Sequence, residues 1–183
     1  MNRVEALELV KMNIKNQNIV RHMIAVGAIM RVLAENLGED NVTWEITGLV
    51  HDIDYEKTVQ NFEKHGIMSE DILKDKVPEE IIKAIKAHNH EYTGVKPETR
   101  LEKGLIASDA VSGLIIACAL VMPSKKVKDV DVKTISKKFK DKDFARGADR
   151  QRIIICEEIG IPKEKFFEIS LKGIQNVSQE LSI

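Results

Sequence analysis

Between Leu105 and Met122 the chain carries almost nothing but apolar residues, and a single charge, Asp109, stands inside that run. A segment of this length either crosses a membrane or forms the centre of a helical core. An aspartate inside a span costs roughly 2.5 to 3.5 kcal/mol on insertion scales. Ser108, Ser112 and Gly113 add further polarity, and no positive loop flanks a second span. The run therefore predicts a buried helix around which the rest of the chain packs, with no membrane partner.

The other apolar residues also recur at helical spacing, and no alternating run bounded by hairpin turns argues for a sheet, so the expected fold class is all-α. A first helix is expected from about Arg3 to Lys15, and a second from an N-cap at Asn18 to a stop at Gly38. Thr43 is read as the cap of a short helix ending at His51-Asp52, and the next helix covers Phe62 to Lys74. Pro78 opens another, with Ile81, Ile85 and His88 on one stripe, before Thr93, Gly94 and Pro97 break the chain. The long helix runs from about Arg100 to Val121, and Pro123 ends it. A lysine-rich connection, Lys125 to Lys142, is expected to act as hinge or lid before two final helices at Phe144 to Ile159 and Pro162 to Leu181.

With 183 residues, 43% of them apolar and 31% charged, the chain is long enough for one domain with its own core. Residues 18–122 are expected to form the functional core of that 1–183 domain, and 123–183 its C-terminal extension. A formal net charge of -1, from 28 basic and 29 acidic residues, supplies no global attraction to a nucleic-acid backbone or an anionic membrane. The expected partner is a small molecule and not a nucleic acid, and the expected assembly is a monomer or a homodimer. Cys118 and Cys156 lie far apart in apolar strings, as buried thiols of a reducing compartment do. The N-terminal stretch has no secretory h-region, and with the thiols it points to the cytoplasm.

The chemistry is concentrated in a few polar residues set on apolar faces. His51 and Asp52 are adjacent in ITGLVHDIDYE, so an imidazole nitrogen and a carboxylate oxygen can reach one cation. His22 shares its helix face with Ile19 and Val26 and should point inward. Asp109 is a lone carboxylate between Lys103 and Lys125, and burying it requires a cation or hydrogen bonds. His65, in FEKHGIMSEDIL, and His88, in IIKAIKAHNHEY, also fall on apolar faces. His90 competes with His88 if the helix frays at Asn89; the stripe favours His88, which leaves His90 to contact substrate or to lie on the surface.

The order His22, His51-Asp52, Asp109, carried by RHMIAVGAIMRVLA, ITGLVHDIDYE and LIASDAVSG, resembles the HD superfamily of metal-dependent phosphohydrolases over about residues 18–122. The resemblance implies an all-helical HD-domain bundle in which His22, His51, Asp52 and Asp109 hold a divalent metal. With His65 and His88 added, the pattern is similar to the expanded two-metal H…HD…H…H…D type, in which Asp52 bridges and His65 and His88 bind the second ion. Two cations about 3.5 to 4 Å apart clamp a phosphoryl group and supply a hydroxide at neutral pH for attack on phosphorus. The implied activity is hydrolysis of a small phosphorylated substrate, foremost a nucleotide or dinucleoside polyphosphate. A mixed imidazole and carboxylate set does not choose strongly among first-row metals; Fe or Mn is the expectation, with Ni, Co, Zn or Mg also compatible.

Asp54 and Lys57 follow the HD pair and join Asp52 as candidate catalytic groups, Asp54 by accepting the outer nitrogen of a ligating imidazole and Lys57 by reaching a phosphate. Many family members carry a lysine three residues after the HD aspartate, where this chain has Tyr55, and that departure leaves the substrate class open. Arg146 and Arg150, one turn apart on the expected helix, could fork onto phosphate oxygens beside the lysine-rich stretch. Two other readings share these residues. One is a mixed-valent diiron oxygenase with the same expanded ligand set, and the other is a non-catalytic nucleotide-binding module.

Overall fold

A computed structural model describes all 183 residues, and it contains helices and no strand. The longer helices are α1 (Arg3–Asn13), α2 (Gln17–Leu37) and α3 (Asn41–Val50), followed by a single turn α4 (Tyr55–Thr58). Then come α5 (Met68–Leu73), α6 (Glu79–His88), α7 (His90–Thr93) and the long α8 (Arg100–Val121). The remainder forms α9 (Val132–Lys140), α10 (Arg150–Ile154), α11 (Lys163–Asn176) and α12 (Ser178–Leu181).

Short polar side chains start six of these twelve helices by taking up amide protons that have no partner in the first turn. Asn2 with Glu5 and Thr99 with Glu102 form reciprocal capping boxes at α1 and α8, while Asp131 and Asp149 cap α9 and α10. Asn16, not Asn18, caps α2, and Asp40, not Thr43, caps α3; the Thr43 hydroxyl donates to the Asp40 carboxylate instead. Gly38 closes α2 in the left-handed region at φ 72°.

The centre of the bundle is α2, packed on α3 along one side and on α8 and α11 along others, with α6 and α10 laid against α8. By length and composition α8 could cross a membrane, but 61% of its most apolar stretch is buried inside the bundle. Close approach of α2 and α3 requires glycine at position 48. A Cβ there would lie 2.7 Å from the Cα and N atoms of Gly27. Buried residues of the last third, including Val127, Ile135, Phe166, Phe167 and Ile174, belong to the same continuous apolar cluster as Val26, Leu33 and Leu114.

Three stretches differ from the periodicity reading. The helix expected over Phe62 to Lys74 is broken at His65-Gly66, where Gly66 takes φ 83°, and it restarts as α5. The Asp54 carboxylate holds the break by accepting the backbone N–H groups of Gly66 and Ser69 at 2.8 and 3.0 Å. The lysine-rich stretch is folded, since α9 lies within it and Val127, Val130 and Ile135 are buried.

The helix expected over Phe144 to Ile159 begins only at Arg150 and tightens to 3-10 geometry at Ile155–Ile159. Ahead of it the Arg150 guanidinium collects the carbonyl oxygens of Ala145 at 2.7 Å, Phe144 at 2.5 Å and Asp141 at 3.2 Å. That side chain satisfies acceptors a helix would have satisfied with backbone amides, so the irregular path is stable.

Candidate metal centre

Four helices and two non-helical segments deliver six polar side chains to a single point. His22 comes from the first third of α2, His51 and Asp52 from the C-terminal end of α3 and the turn after it. His65 comes from the break ahead of α5, His88 from the last position of α6 and Asp109 from the middle of α8.

Asp52 is the common partner. Its Oδ1 lies 3.2 Å from His65 Nε2, 3.4 Å from His51 Nε2 and 3.6 Å from His88 Nε2, while its Oδ2 lies 3.6 Å from His22 Nε2. Asp109 Oδ1 closes the other side, 3.2 Å from His22 Nε2 and 3.9 Å from His51 Nε2. The ligand atoms of His22, His51 and Asp52 all lie within 4.8 Å of one another, and so do those of Asp52, His65 and His88. The two groups share Asp52.

Each ring is held from behind at Nδ1. His51 Nδ1 donates to the Gly48 carbonyl at 2.8 Å, and His88 Nδ1 donates to the Ile85 carbonyl. A carbonyl can only accept, so both rings carry a proton on Nδ1 and turn Nε2 toward the centre as a lone pair when neutral. His65 Nδ1 donates to Asp54 Oδ1 at 2.9 Å. The Ser112 hydroxyl donates to the Asp109 carbonyl and so accepts from His22 Nδ1, 3.1 Å away.

The charge states follow from burial and these contacts. Burial pushes His51 down to about 4 against the partial support of Asp52, so at neutral pH its ring is uncharged. Burial also acts against His65, but hydrogen bonds and charge from Asp52 and Asp54 outweigh it and raise the ring to about 9. Burial acts to raise both Asp52 and Asp109, yet the surrounding imidazoles hold both carboxyls well below the usual range.

The fit to a cation rests on two observations. His51 Nε2 is fully buried with no hydrogen-bond partner, and a buried acceptor without a donor is costly unless something electropositive faces it. His65 Nε2 and His88 Nε2 face each other at 3.1 Å, an arrangement that needs either a shared proton or an ion. A donor set of imidazole nitrogen and carboxylate oxygen without thiolate suits divalent first-row metals, and binding there would displace the His65 proton.

All of these groups but the fully buried His51 line a cavity of about 370 Å³, with Asn18, Ile19, Tyr55, Phe62, Asn89 and Arg152 on its remaining wall. Several residues named from the sequence are not on that wall. Lys57 is exposed and donates to Asn13 Oδ1 at 3.0 Å on α1, so it does not reach toward the cavity. Arg146 is exposed and paired with Asp143, and Arg150 is engaged by the carbonyl groups described above. His90 opens α7 and lies off the cavity wall, its Nδ1 buried without a partner. Asp54 is fully buried behind His65 and lies off the cavity wall, its Oδ1 accepting from that ring's Nδ1.

Arg152 was missed. Its Nη2 lies 3.7 Å from Asp109 Oδ2 and donates to the His88 carbonyl, which places a guanidinium at the cavity edge. The expected helix phase singled out 146 and 150, and the late start of α10 turns 152 inward instead. Asn89, whose amide donates to the His65 carbonyl at 3.0 Å, and Ser112 were also missed, because nothing in their spacing marks a small polar residue as a brace.

Comparison with known proteins matches residues 19–114 to the HD domain family model. A stretch of 98 residues, 53% of the chain, is 39% identical to Ribonuclease Y of Lawsonia intracellularis and covers 18% of that protein. A stretch of 145 residues, 77% of the chain, is 30% identical to Ribonuclease Y of Desulfotalea psychrophila and covers 27% of it. The chain therefore matches about a fifth to a quarter of the length of these curated relatives. No solved structure matches it. The family match takes in more than half of the chain and all six converging side chains, and the chain belongs to the HD domain family of metal-dependent phosphohydrolases.

Proposed function

We propose that the chain hydrolyses a phosphate ester of a nucleotide at a two-metal centre. His22, His51, Asp52 and Asp109 would hold one divalent cation, and Asp52, His65 and His88 the other, with Fe or Mn preferred. The observation that carries this reading is that four imidazoles, each tethered at Nδ1, present Nε2 to one carboxylate. When bound, such a pair of cations neutralises charge on phosphoryl oxygens and lowers the pKa of water.

The protein's own groups then bind and orient. Arg152 offers N–H donors at the cavity edge to a non-bridging phosphate oxygen. Phe62 and Tyr55 offer the face and edge of aromatic rings on which a base can stack. Asp54 holds His65 in register, since its other oxygen is fixed by Gly66 and Ser69. The name Ribonuclease Y also supports a nucleotide-containing substrate. It stands against the expectation of no nucleic-acid partner, which was drawn from net charge alone.

The test is hydrolysis of bis(p-nitrophenyl) phosphate and of a nucleotide panel by protein loaded with Mn²⁺ or Fe²⁺ under exclusion of oxygen. Turnover that EDTA abolishes and added metal restores is expected. Absence of phosphate-ester cleavage by protein carrying two metal equivalents would overturn the reading, and oxygen consumption with substrate would replace it. Asp54→Asn should lower affinity for the second equivalent by about 10- to 100-fold while leaving the first near normal, as read by metal titration.

A further inference from the structure

We infer that the substrate of this site is a single polynucleotide strand longer than one nucleotide, whose backbone leaves the metal cavity past Arg152 and follows a basic hollow beside α9. The inference rests on the phosphohydrolase reading and extends it.

Three hollows are contiguous. The metal cavity shares His22, Asp109 and Arg152 with a second hollow of about 240 Å³ floored by Gly147, Ala148 and Asp149. That one shares Ala148 and Asp149 with a third, of about 520 Å³, walled by Phe139, Lys140, Lys142 and Arg146. A mononucleotide with its phosphate at the metals occupies the first hollow only. The other two give a path that nothing in the proposed chemistry uses.

The charge of the path fits one class of occupant. Residues 125–152 contain eleven Lys and Arg against five Asp, a net of +6, whereas the rest of the chain carries -7. The near-zero total conceals a strongly polar molecule. The acids on this face are largely engaged: Asp149 caps α10 by accepting from Gln151 and Arg152, Asp141 lies 3.7 Å from Lys138 and Asp143 pairs with Arg146. Lys140 and Lys142 are exposed and have no carboxylate within ion-pair distance. A row of such cations leading from a phosphate-cleaving centre attracts the further phosphates of the same strand.

The experiment compares wild type with Lys140→Glu/Lys142→Glu on a labelled twelve-nucleotide single-stranded RNA and on bis(p-nitrophenyl) phosphate. Asp52→Ala protein serves to subtract contaminating nuclease. Both lysines are exposed, and circular dichroism checks the fold. The expected result is a rise of about tenfold or more in KM for the RNA, with kcat and the small-substrate kinetics unchanged. The dependence of log KM on log salt should flatten by about 1.4, at roughly 0.7 per lost single-strand contact.

An unchanged KM for the RNA, or a twelve-nucleotide strand that binds no better than a dinucleotide, would overturn the inference. So would charge-dependent binding of an acidic peptide or anionic vesicles in place of RNA. If wild type cleaves neither substrate, the hydrolase reading fails on its own. RNA binding measured by fluorescence anisotropy then still decides whether the basic path exists.

Discussion

Asp52→Ala should leave a protein that binds neither metal equivalent and turns over phosphate ester at least about a thousandfold more slowly, which is about 4 kcal/mol of lost barrier reduction. The size of the effect comes from sharing. Four imidazole nitrogens lie 3.2 to 3.6 Å from one or other Asp52 oxygen, and no other residue belongs to both ligand groups. Asp109→Ala, by contrast, touches only the His22 and His51 side and should leave the group containing His65 and His88 able to bind. Metal analysis after dialysis, paired with activity, checks both variants. An Asp52→Ala protein with two bound equivalents and normal turnover would remove the basis of the proposed function.

Gly48→Ala is expected to lower stability by about 3 kcal/mol and the melting temperature by roughly 6 to 12 °C. The added carbon would meet backbone atoms of Gly27 at 2.7 Å and of Val26 at 2.9 Å. Backbone cannot rotate away as a side chain can, so α3 must lift from α2. The same residue's carbonyl holds His51 Nδ1. Metal affinity should therefore fall together with stability, and thermal melts with and without Mn²⁺ read both effects. A variant with a normal melt and normal metal content would show that the two helices tolerate a wider separation than their contact implies.

The helical class and the residues that converge were legible because burial of polar groups leaves a pattern. His22, His88 and Asp109 each stand on a helix among apolar neighbours, and such a face is what periodicity detects, whereas the spacing places His65 on a helix that the structure breaks at that residue. The start of α8 was legible as well, since Thr99 and Glu102 have the spacing of a capping box. What stayed hidden depends on contacts between segments distant in the chain. The break at Gly66 is held by Asp54, eleven or more residues away, and the late start of α10 by a guanidinium turned back on the preceding loop. With the phase of that helix misread, attention fell on Arg146 and Arg150 while Arg152 stood at the cavity. Overall composition is limited in the same way, because a sum of charges carries no information about where they lie.

The role of Arg150 bears on how such an enzyme can change. One side chain gathers the loop's carbonyl oxygens, so the path of residues 141–148 rests on that guanidinium and on Phe144, Ala145 and Ala148 against the core, and little on the exposed Lys142 and Gly147. The exposed positions are the ones open to substitution, and with them the surface beside the cavity. The converging imidazoles and carboxylates sit on helices and turns with supports of their own. That surface can therefore change its charge and shape by substitution at the exposed loop positions, at little cost to folding, for as long as the arginine is kept.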